Sequence, residues 1–595
     1  MDLPEILAQV GLFLDHNDLV ACIRVSHGWN NVMQPLIWRR IVVHQASLLN
    51  LTTPTARDQS LALPLSLGTR ASSPSPPSSS PASPARTETY PSTAVILENA
   101  RRVHTLIFNI HAPSLVQELV PLLNNQLVQL QVLQYSDDIK HILLANSSTL
   151  VHFKCLYNAP LPLTATTPER VEHATGFWDT IAQLPKLRGL ELSGAFVYED
   201  HDESFFSICC RLSSLVLKSC RIYTRFRPGT SALPQLRRLE MTMNALASDA
   251  QFAFITLCPN LTHLAWNTTG SIPSHSFLRY LSMRNPQCPI ECLDLSGTAL
   301  TDGELANILS HLTLLKRFYA AQSFVSGLCC HFITTSKTDL EELILRGCTL
   351  LESSMIQSLL MSLPKLRRFA GYVLKTDDMN PPLTASKSLP LPKLIQNLGK
   401  RSLVSSMRLL VPTGSSSVAG ISNGGPTEST SPRVNDSQDG EWSSKWVCLE
   451  LEELDVTFSG FQDPSTNGMQ IIFEQLSALT MLRKLVLRDY CSYSSFVSQK
   501  VPTTTLGPQM RIYKGMSKLA PLKQLRMLDV QWIPLDMTLD DVKWMVQQWP
   551  RLRHIRGVLT CNPREYNRIE QFLEQDYPEI RVEGVYYGME YINRG

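Results

Sequence analysis

Cysteine and histidine are the side chains of this chain that would most readily hold a metal or attack an electrophile. Cys209-Cys210, Cys329-Cys330 followed by His331, and Cys288 with Cys292 are the tightest groupings among 14 cysteines. Tetrahedral zinc needs four convergent ligands, which commonly arrive as C-x-x-C pairs, and no such pair occurs. No metal and no cofactor is expected, and reduced thiols fit the scattered count best. The histidines are dispersed and none stands in a recognisable frame with a cysteine or serine. The patterns G-x-x-x-x-G-K-[ST] and H-E-x-x-H are absent, and the one G-x-S-x-G match, Gly420-Ile421-Ser422-Asn423-Gly424, stands in a glycine-, serine- and proline-rich stretch rather than between a strand and a helix, so phosphate-cradling and zinc-protease chemistries lack their minimal residues and a hydrolase lacks its context. Lys218, Arg346 and Arg488 have the chemistry to take a phosphate, and Ser-Pro steps at Ser73, Ser75, Ser80, Ser83 and Ser431 could accept proline-directed phosphorylation. The expectation is a chain that binds rather than reacts.

Lys+Arg number 54 against 52 Asp+Glu, and a net charge of +2 is far from the basic excess that phosphate-backbone binding needs, so nucleic acid is not the expected partner. With 44% hydrophobic and 18% charged residues the chain can bury a sizeable core, which excludes disorder throughout. Met1-Asp2-Leu3-Pro4-Glu5 has an acid where a secretory signal would have lysine or arginine. No apolar stretch reaches the ~18 residues of a membrane span. An intracellular location, cytoplasmic or nuclear or both, and no membrane partner are expected.

The elements that must position any binding residue are revealed by self-similarity. One pattern recurs: apolar, two variable residues, apolar, one variable, apolar. Its clearest copies are Leu187-Leu190-Leu192, Leu212-Leu215-Leu217, Leu236-Leu239-Met241, Leu261-Leu264-Trp266, Ile290-Leu293-Leu295 and Leu340-Leu343-Leu345. A weaker copy at Leu315-Phe318-Ala320 splits the last gap into 25 and 25, and others begin at Val103, Leu127, Leu150, Leu366, Leu451, Leu482, Leu525 and Leu552. Helical spacing precedes several copies and stops at proline, as at Pro185 and Pro364, with comparable prolines at Pro234, Pro259, Pro521 and Pro550. Each unit therefore reads as helix, turn, short strand, and stacking such units makes one continuous core. The pattern resembles the leucine-rich repeat family over roughly residues 95–595. That resemblance implies an α/β solenoid, a horseshoe. It departs from the family where an asparagine ladder should follow the strand: Asn244 and Asn267 lie near that point, while Cys220 and Cys348 stand in the equivalent turns, as in the longer cysteine-containing subtype. An ordinary α/β protein with leucine-rich strands is the alternative.

Two stretches interrupt the array. Residues 46–94 read as a flexible linker, Ser/Pro-rich from Ala71. Residues 376–446 read as an insertion, largely disordered, with a candidate extra helix between Leu391 and Leu410. Repeats are expected over 95–375 and, with a C-terminal cap, over 447–595.

Residues 1–45 differ in kind. Leu3-Pro4-Glu5-Ile6-Leu7 opens a short helix with proline at a tolerated early position, and Val10, Leu14, Leu19, Cys22, Ile23 and Val25 continue a compact helical module. Val25-Ser26-His27-Gly28-Trp29 and Pro35-Leu36-Ile37-Trp38-Arg39 follow. This succession resembles the F-box, an all-α module. The resemblance implies docking to a Skp-family adaptor and through it to a cullin scaffold and a ubiquitin-conjugating enzyme. On matching positions, Leu3, Pro4 and Ile6 would lead the contact, with Leu7, Leu14 and Leu19 in or beside the adaptor groove and Val25, Trp29, Leu36 and Trp38 completing the packing. About 40 residues fold marginally alone, which favours burial against a partner; the same helices could instead cap the first repeats.

Alternation along a strand turns its variable residues away from the core. The expected substrate face takes Glu191, Glu240, Asp294, Tyr319, Asp455, Asp529 and Arg556 from one column and Lys218, Asn267, Arg346, Tyr372 and Arg488 from the next. A thioester-forming ligase would need a catalytic domain for which the repeats leave no room. The expected function is a non-catalytic substrate-recognition subunit of a Skp–cullin–F-box ubiquitin ligase. The alternative is a leucine-rich interaction scaffold without ligase function.

Overall fold

The computed structural model describes residues 3–11, 19, 22, 25–37, 39–43, 100–108, 113–157, 167–222, 232–244, 248–267, 272–284, 288–375, 445–459, 468–489, 515–532, 535, 537–560 and 562–583. The Ser/Pro-rich linker, nearly all of the 376–446 insertion and the helix proposed between Leu391 and Leu410 lie outside the described residues. The chain forms two compact units, one comprising residues 1–351 and 368–372, the other 352–367 and 373–595.

The first unit opens with helices α1 (Leu3–Gly11) and α2 (His27–Ile37), then strand β1 (Arg40–Val43). Parallel strands follow: β2 (Thr105–Phe108), β3 (Gln129–Gln134), β4 (His152–Tyr157), β5 (Gly189–Ser193), β7 (Ser214–Lys218), β9 (Arg238–Thr242), β10 (His263–Asn267), β11 (Cys292–Asp294), β12 (Arg317–Tyr319), β13 (Glu342–Ile344) and the start of β14 (Arg368–Lys375). Each pairs with its predecessor in this sequence. A two-stranded side sheet joins β6 (Phe196–Val197) to β8 (Arg221–Ile222). Connecting helices include α5 (Thr167–Ala182), α6 (Asp202–Arg211), α7 (Ser248–Thr256), α8 (Ser274–Arg284), α9 (Asp302–Ser310) and α10 (Gly327–Ser336), after α3 (Pro113–Leu119) and α4 (Asp137–Ala145). The second unit has parallel strands β15 (Glu453–Ser459), β16 (Lys484–Asp489), β17 (Met527–Trp532), β18 (His554–Arg556) and β19 (Arg581–Glu583), with helices α11 (Ser353–Ser362), α12 (Gly468–Ser477), α13 (Leu539–Gln548) and α14 (Pro563–Asp576).

Every repeat copy read from the sequence from Val103 to Leu552 coincides with a strand, including the weak one at Leu315, and two more exist. Ile580 and Val582 form the last, and Ile41 with Val43 the first. The N-terminal module is therefore not all-α as expected: it ends in β1. Trp38-Arg39-Arg40-Ile41-Val42-Val43 satisfies the strand half of the repeat pattern, and the Arg39 carbonyl accepts the His104 and Thr105 amides, both at 2.9 Å.

The core is the apolar side of each sheet with the helices packed on it. Leu190, Leu215, Leu239, Leu264, Leu293, Phe318 and Leu343 occupy one register column and are buried. Helix and strand aromatics meet beneath it: Trp178 lies edge-on to Phe177 and Phe205, at 5.0 and 5.3 Å between ring centroids, and Trp266 edge-on to Phe277 at 5.5 Å. Each such side chain contributes about 1.5–3 kcal/mol of burial.

The turn after each strand repeats as well. Gly194, Ser219, Met243, Gly297, Gln322 and Gly347 share one repeat position and all have φ between 52° and 71°. The next residue points inward and, except for Ala195, satisfies carbonyls of its own or the preceding repeat. Asn244 donates to Leu217 O (3.1 Å) and accepts from Cys220 N (2.8 Å), Ser323 Oγ donates to Leu295 O (3.2 Å), and Cys348 Sγ to Ala320 O (3.0 Å). Cys220 and Cys348 occupy this ladder as expected. Asn267 does not: it aligns with Thr242, two residues short of the ladder position, because Trp266 and not Asn267 ends the repeat's apolar triplet.

A Cβ on Gly297 would stand 3.2 Å from Asn267 Nδ2 with φ at +71°, whereas one on the helical Gly303 would meet nothing. Gly297→Ala is expected to lower stability by about 1–2 kcal/mol, and Gly303→Ala to raise it by about 0.5–1 kcal/mol. Urea midpoints moving in opposite directions check this; a shared direction refutes it.

Candidate functional site

Two surfaces follow from this framework. In the N-terminal module, Leu7, Leu19 and Met33 form the core, with Cys22, Trp29, Val32 and Leu36 against it. Helices α1 and α2 approach closely at Gly11, where a Cβ would come within 2.4 Å of Leu36 Cδ1 and 2.8 Å of Met33 Sδ. Ser26 opens α2, its hydroxyl accepting the Trp29 amide at 3.2 Å. Leu7 and Leu19 are thus committed inward, and Trp29 and Leu36 are half-buried. Pro4 is exposed, and Ile6, Val10 and Val25 are 45%, 45% and 64% exposed, unusual values for such side chains. Ile6 and Val10, four residues apart, share a helix face. Leu3 begins α1; Leu14 and Trp38 lie outside the described residues. Val10 was not among the expected contacts, although its i+4 spacing from Ile6 signalled it.

The second surface is the solvent side of the sheets. In the first unit, Glu191 on β5 accepts from Lys154 on β4 (3.0 Å) and Lys218 on β7 (2.9 Å). Burial pushes its carboxyl up, but the two lysines outweigh that and leave it below its usual value. Glu240 accepts from Arg238 Nε at 2.9 Å. Asp294 caps its own turn through the Ser296 amide at 2.9 Å. Asn267 packs its side chain against Gly297. The Tyr319 hydroxyl donates to Glu342, which also faces Arg368 at 3.7 Å, and burial together with that carboxylate raises the phenol's pKa. Arg346 is exposed and Tyr372 half-buried.

In the second unit Asp455 pairs with Arg488 at 3.2 Å, and Arg556 lies 2.8 Å from Glu583 and 4.0 Å from Asp529. The hydrogen bond from Arg556 is the largest influence holding the Glu583 carboxyl down. His554 Nε2 is 3.0 Å from Glu583, a close approach that lacks hydrogen-bond alignment. Six of the twelve expected face residues, Glu191, Lys218, Asp455, Arg488, Asp529 and Arg556, thus lie in ion pairs with adjacent strands, Asp455 and Asp529 buried within them; Lys218 and Arg488, read as phosphate ligands, each face a carboxylate of the chain.

A third column also faces solvent: Arg238, His263, Cys292, Arg317, Glu342 and Arg368 in the first unit, Glu453, Lys484 and His554 in the second. It precedes the middle apolar residue of each repeat, and the alternation that marked the other two columns extends to it. Arg317 hydrogen-bonds His263, whose other nitrogen lies 2.8 Å from Thr262 Oγ1. Burial, then Arg317 and Arg238, outweigh Glu291 and Glu240 and hold the His263 imidazole below its ordinary 6.5. Burial pushes the Cys292 thiol up to about 11, which removes it as a thiolate at neutral pH. Of the other cysteines in the tight groupings, Cys209, Cys288, Cys329 and Cys330 are buried. Among the described residues no three His, Cys, Asp or Glu side chains gather as metal ligands. No helix among them is long and apolar enough to cross a membrane.

With this geometry in place, comparison with known proteins identifies residues 4–44 as an F-box-like domain, by match to the family model of that description. No curated protein matches the chain. Among solved structures it is similar to a chain from "Crystal structure of TLR13-ssRNA13 complex", with 13% identity and a TM-score of 0.31, over 82% of this chain and 66% of that one, just under two thirds of its length. So low a score carries no argument.

A histidine with a lowered folded pKa takes up its proton more readily when unfolded. Stability is therefore unaffected well above pH 6.5 and is lost as pH falls through that value. His201, buried between Thr175 and the Tyr198 amide, is lowered for the same first reason. Melting temperatures from about pH 7.5 to about pH 5.5 are expected to fall for the wild type and to fall less for His263→Gln. An unchanged pH slope in the variant would remove His263 as a contributor.

Proposed function

We propose that this chain is a non-catalytic substrate-recognition subunit of a Skp–cullin–F-box type ubiquitin ligase. The F-box-like domain docks on a Skp-family adaptor, a cullin scaffold is reached through that adaptor, and the solvent side of the repeats selects a protein for ubiquitination inside the cell. The observation that carries this reading is the F-box-like match at residues 4–44, whose module exposes Pro4, Ile6, Val10 and Val25 while its own core is already filled. Exposed apolar residues on a marginal fold favour burial against a partner. We read the parallel repeats as leucine-rich repeats of the cysteine-containing kind, on the strength of the Cys/Asn/Ser ladder after the strands. In this reading the chain needs no cofactor, and its contribution to ubiquitin transfer is proximity, raising the concentration of substrate lysines near a charged enzyme.

The pairing of β1 with β2 is what a capping role would require, but capping does not account for apolar residues left facing water. A pull-down of the full chain with purified Skp-type adaptor and cullin is expected to retain both. Pro4→Ala/Ile6→Glu is expected to weaken adaptor binding by more than about tenfold while leaving the melting temperature within a few degrees, because these side chains lie outside the module core. Equal retention by both proteins, or by neither, overturns adaptor docking through this face and leaves a leucine-rich interaction scaffold.

A further inference from the structure

The edge of the second unit's sheet where the strands begin carries a stack of arginines. Arg483, Arg526 and Arg553 occupy the same position on consecutive repeats, joined through the backbone: the Arg526 amide donates to Arg483 O at 2.8 Å, and the Arg553 amide to Arg526 O at 2.9 Å. The Arg581 amide also donates to Arg553 O at 2.8 Å, but Arg581 stands one position further along, opposite His554, and so flanks the stack rather than extending it. All four side chains are exposed. Arg483 has a carboxylate partner, Glu452 at 3.2 Å. Arg526, Arg553 and Arg581 have none among the described residues; Arg553 turns to the carbonyls of Leu552 and Pro550, at 2.8 and 3.3 Å. Beside them, among the described residues, Lys523 reaches Gln548 and Arg551 reaches Gln524, neither an acid.

Strands of a sheet lie about 4.8 Å apart, and like charges in directly opposed positions repel. Elsewhere on the sheets this repulsion is relieved by interleaved acids, as with Glu191 between Lys154 and Lys218. At this edge no acid of the described residues is interleaved over three repeats, and an acidic partner would relieve the repulsion.

We propose that this edge binds an acidic segment of a partner protein, rich in aspartate and glutamate. Guanidinium groups match carboxylates in a planar, two-point geometry. In an extended peptide the side chains of one face recur about every 7 Å, so two or three acidic residues suffice to span the stack. The flanks argue against a continuous polyanion: Glu452 and Glu453 stand on one side and Glu579 and Glu583 on the other, and a long phosphate backbone would have to run past them. This inference is independent of adaptor docking, since it uses only residues of the second unit.

The test is fluorescence anisotropy of the full chain with a short fluorescein-labelled peptide of alternating glutamate and serine, and with its lysine counterpart. The glutamate peptide is expected to bind, more weakly as salt is raised, and the lysine peptide not to bind. Arg526→Glu/Arg553→Glu/Arg581→Glu is expected to weaken binding by at least about tenfold, whereas Arg237→Glu, an exposed arginine of the first unit, leaves it unchanged. The milder Arg526→Gln/Arg553→Gln/Arg581→Gln serves if charge reversal impairs folding, and is expected to weaken binding in the same direction. No preference for the glutamate peptide, retained affinity in the glutamine variant, or tighter capture of a single-stranded oligonucleotide than of the peptide would each overturn the proposal.

Discussion

Everything in this molecule depends on a backbone connection that no repeat can complete by itself. A short parallel strand carries amides and carbonyls on both edges and an apolar face on one side, and only a neighbouring copy satisfies both. The Arg39 carbonyl receiving the His104 and Thr105 amides is the first such junction, and Arg553 receiving Arg581 is among the last. Because each junction sets the register of the next, the leucines form one buried column and the intervening residues form solvent-facing columns. In six repeats between Gly194 and Gly347 a turn residue two positions beyond the strand's last core residue is then driven into the left-handed region, and in most of them a Cys, Asn, Thr or Ser follows that can reach back to a carbonyl.

The same constraint governs the chemistry of the surface. Lining up residues from successive strands at about 4.8 Å makes every charge a near neighbour of the charges above and below it. Over most of the face this is resolved internally: lysine beside glutamate, arginine beside aspartate, tyrosine on glutamate. These pairs leave few charges uncommitted, and the carboxylates of Asp455 and Asp529 are buried within them. Departures from that balance are therefore informative. At the N-terminal module the imbalance is apolar, with Ile6, Val10 and Val25 facing water; at the start of the second unit's strands it is cationic.

Within the first unit the F-box-like domain does not hang from the array by a tether at its own C-terminal end. Through β1 it becomes the first strand of the sheet, and Leu36 O accepts the Arg39 amide where helix gives way to strand. A partner bound on α1 and α2 would accordingly be held in a defined relation to the first repeats.

Repeat period, strand positions and the identity of the buried column were legible in the sequence, because a period near 25 with an L-x-x-L-x-L core reflects burial that every copy must achieve alike. So was the F-box-like segment, whose apolar spacing and paired tryptophans are local features. The strand positions of two of the three columns on that side of the sheet could be read from the sequence, for alternation along a strand is also local. What the sequence left open was whatever depends on partners distant in the chain. That Leu7 and Leu19 turn inward while Ile6 and Val10 turn out is decided by the packing of α1 on α2 at Gly11. That β1 belongs to the sheet is decided by a strand more than 60 residues away. That Lys218 is neutralised and Arg526 is not depends on which residue the neighbouring repeat sets beside each, and charge complementarity across strands obeys register, which exists only once the chain has folded.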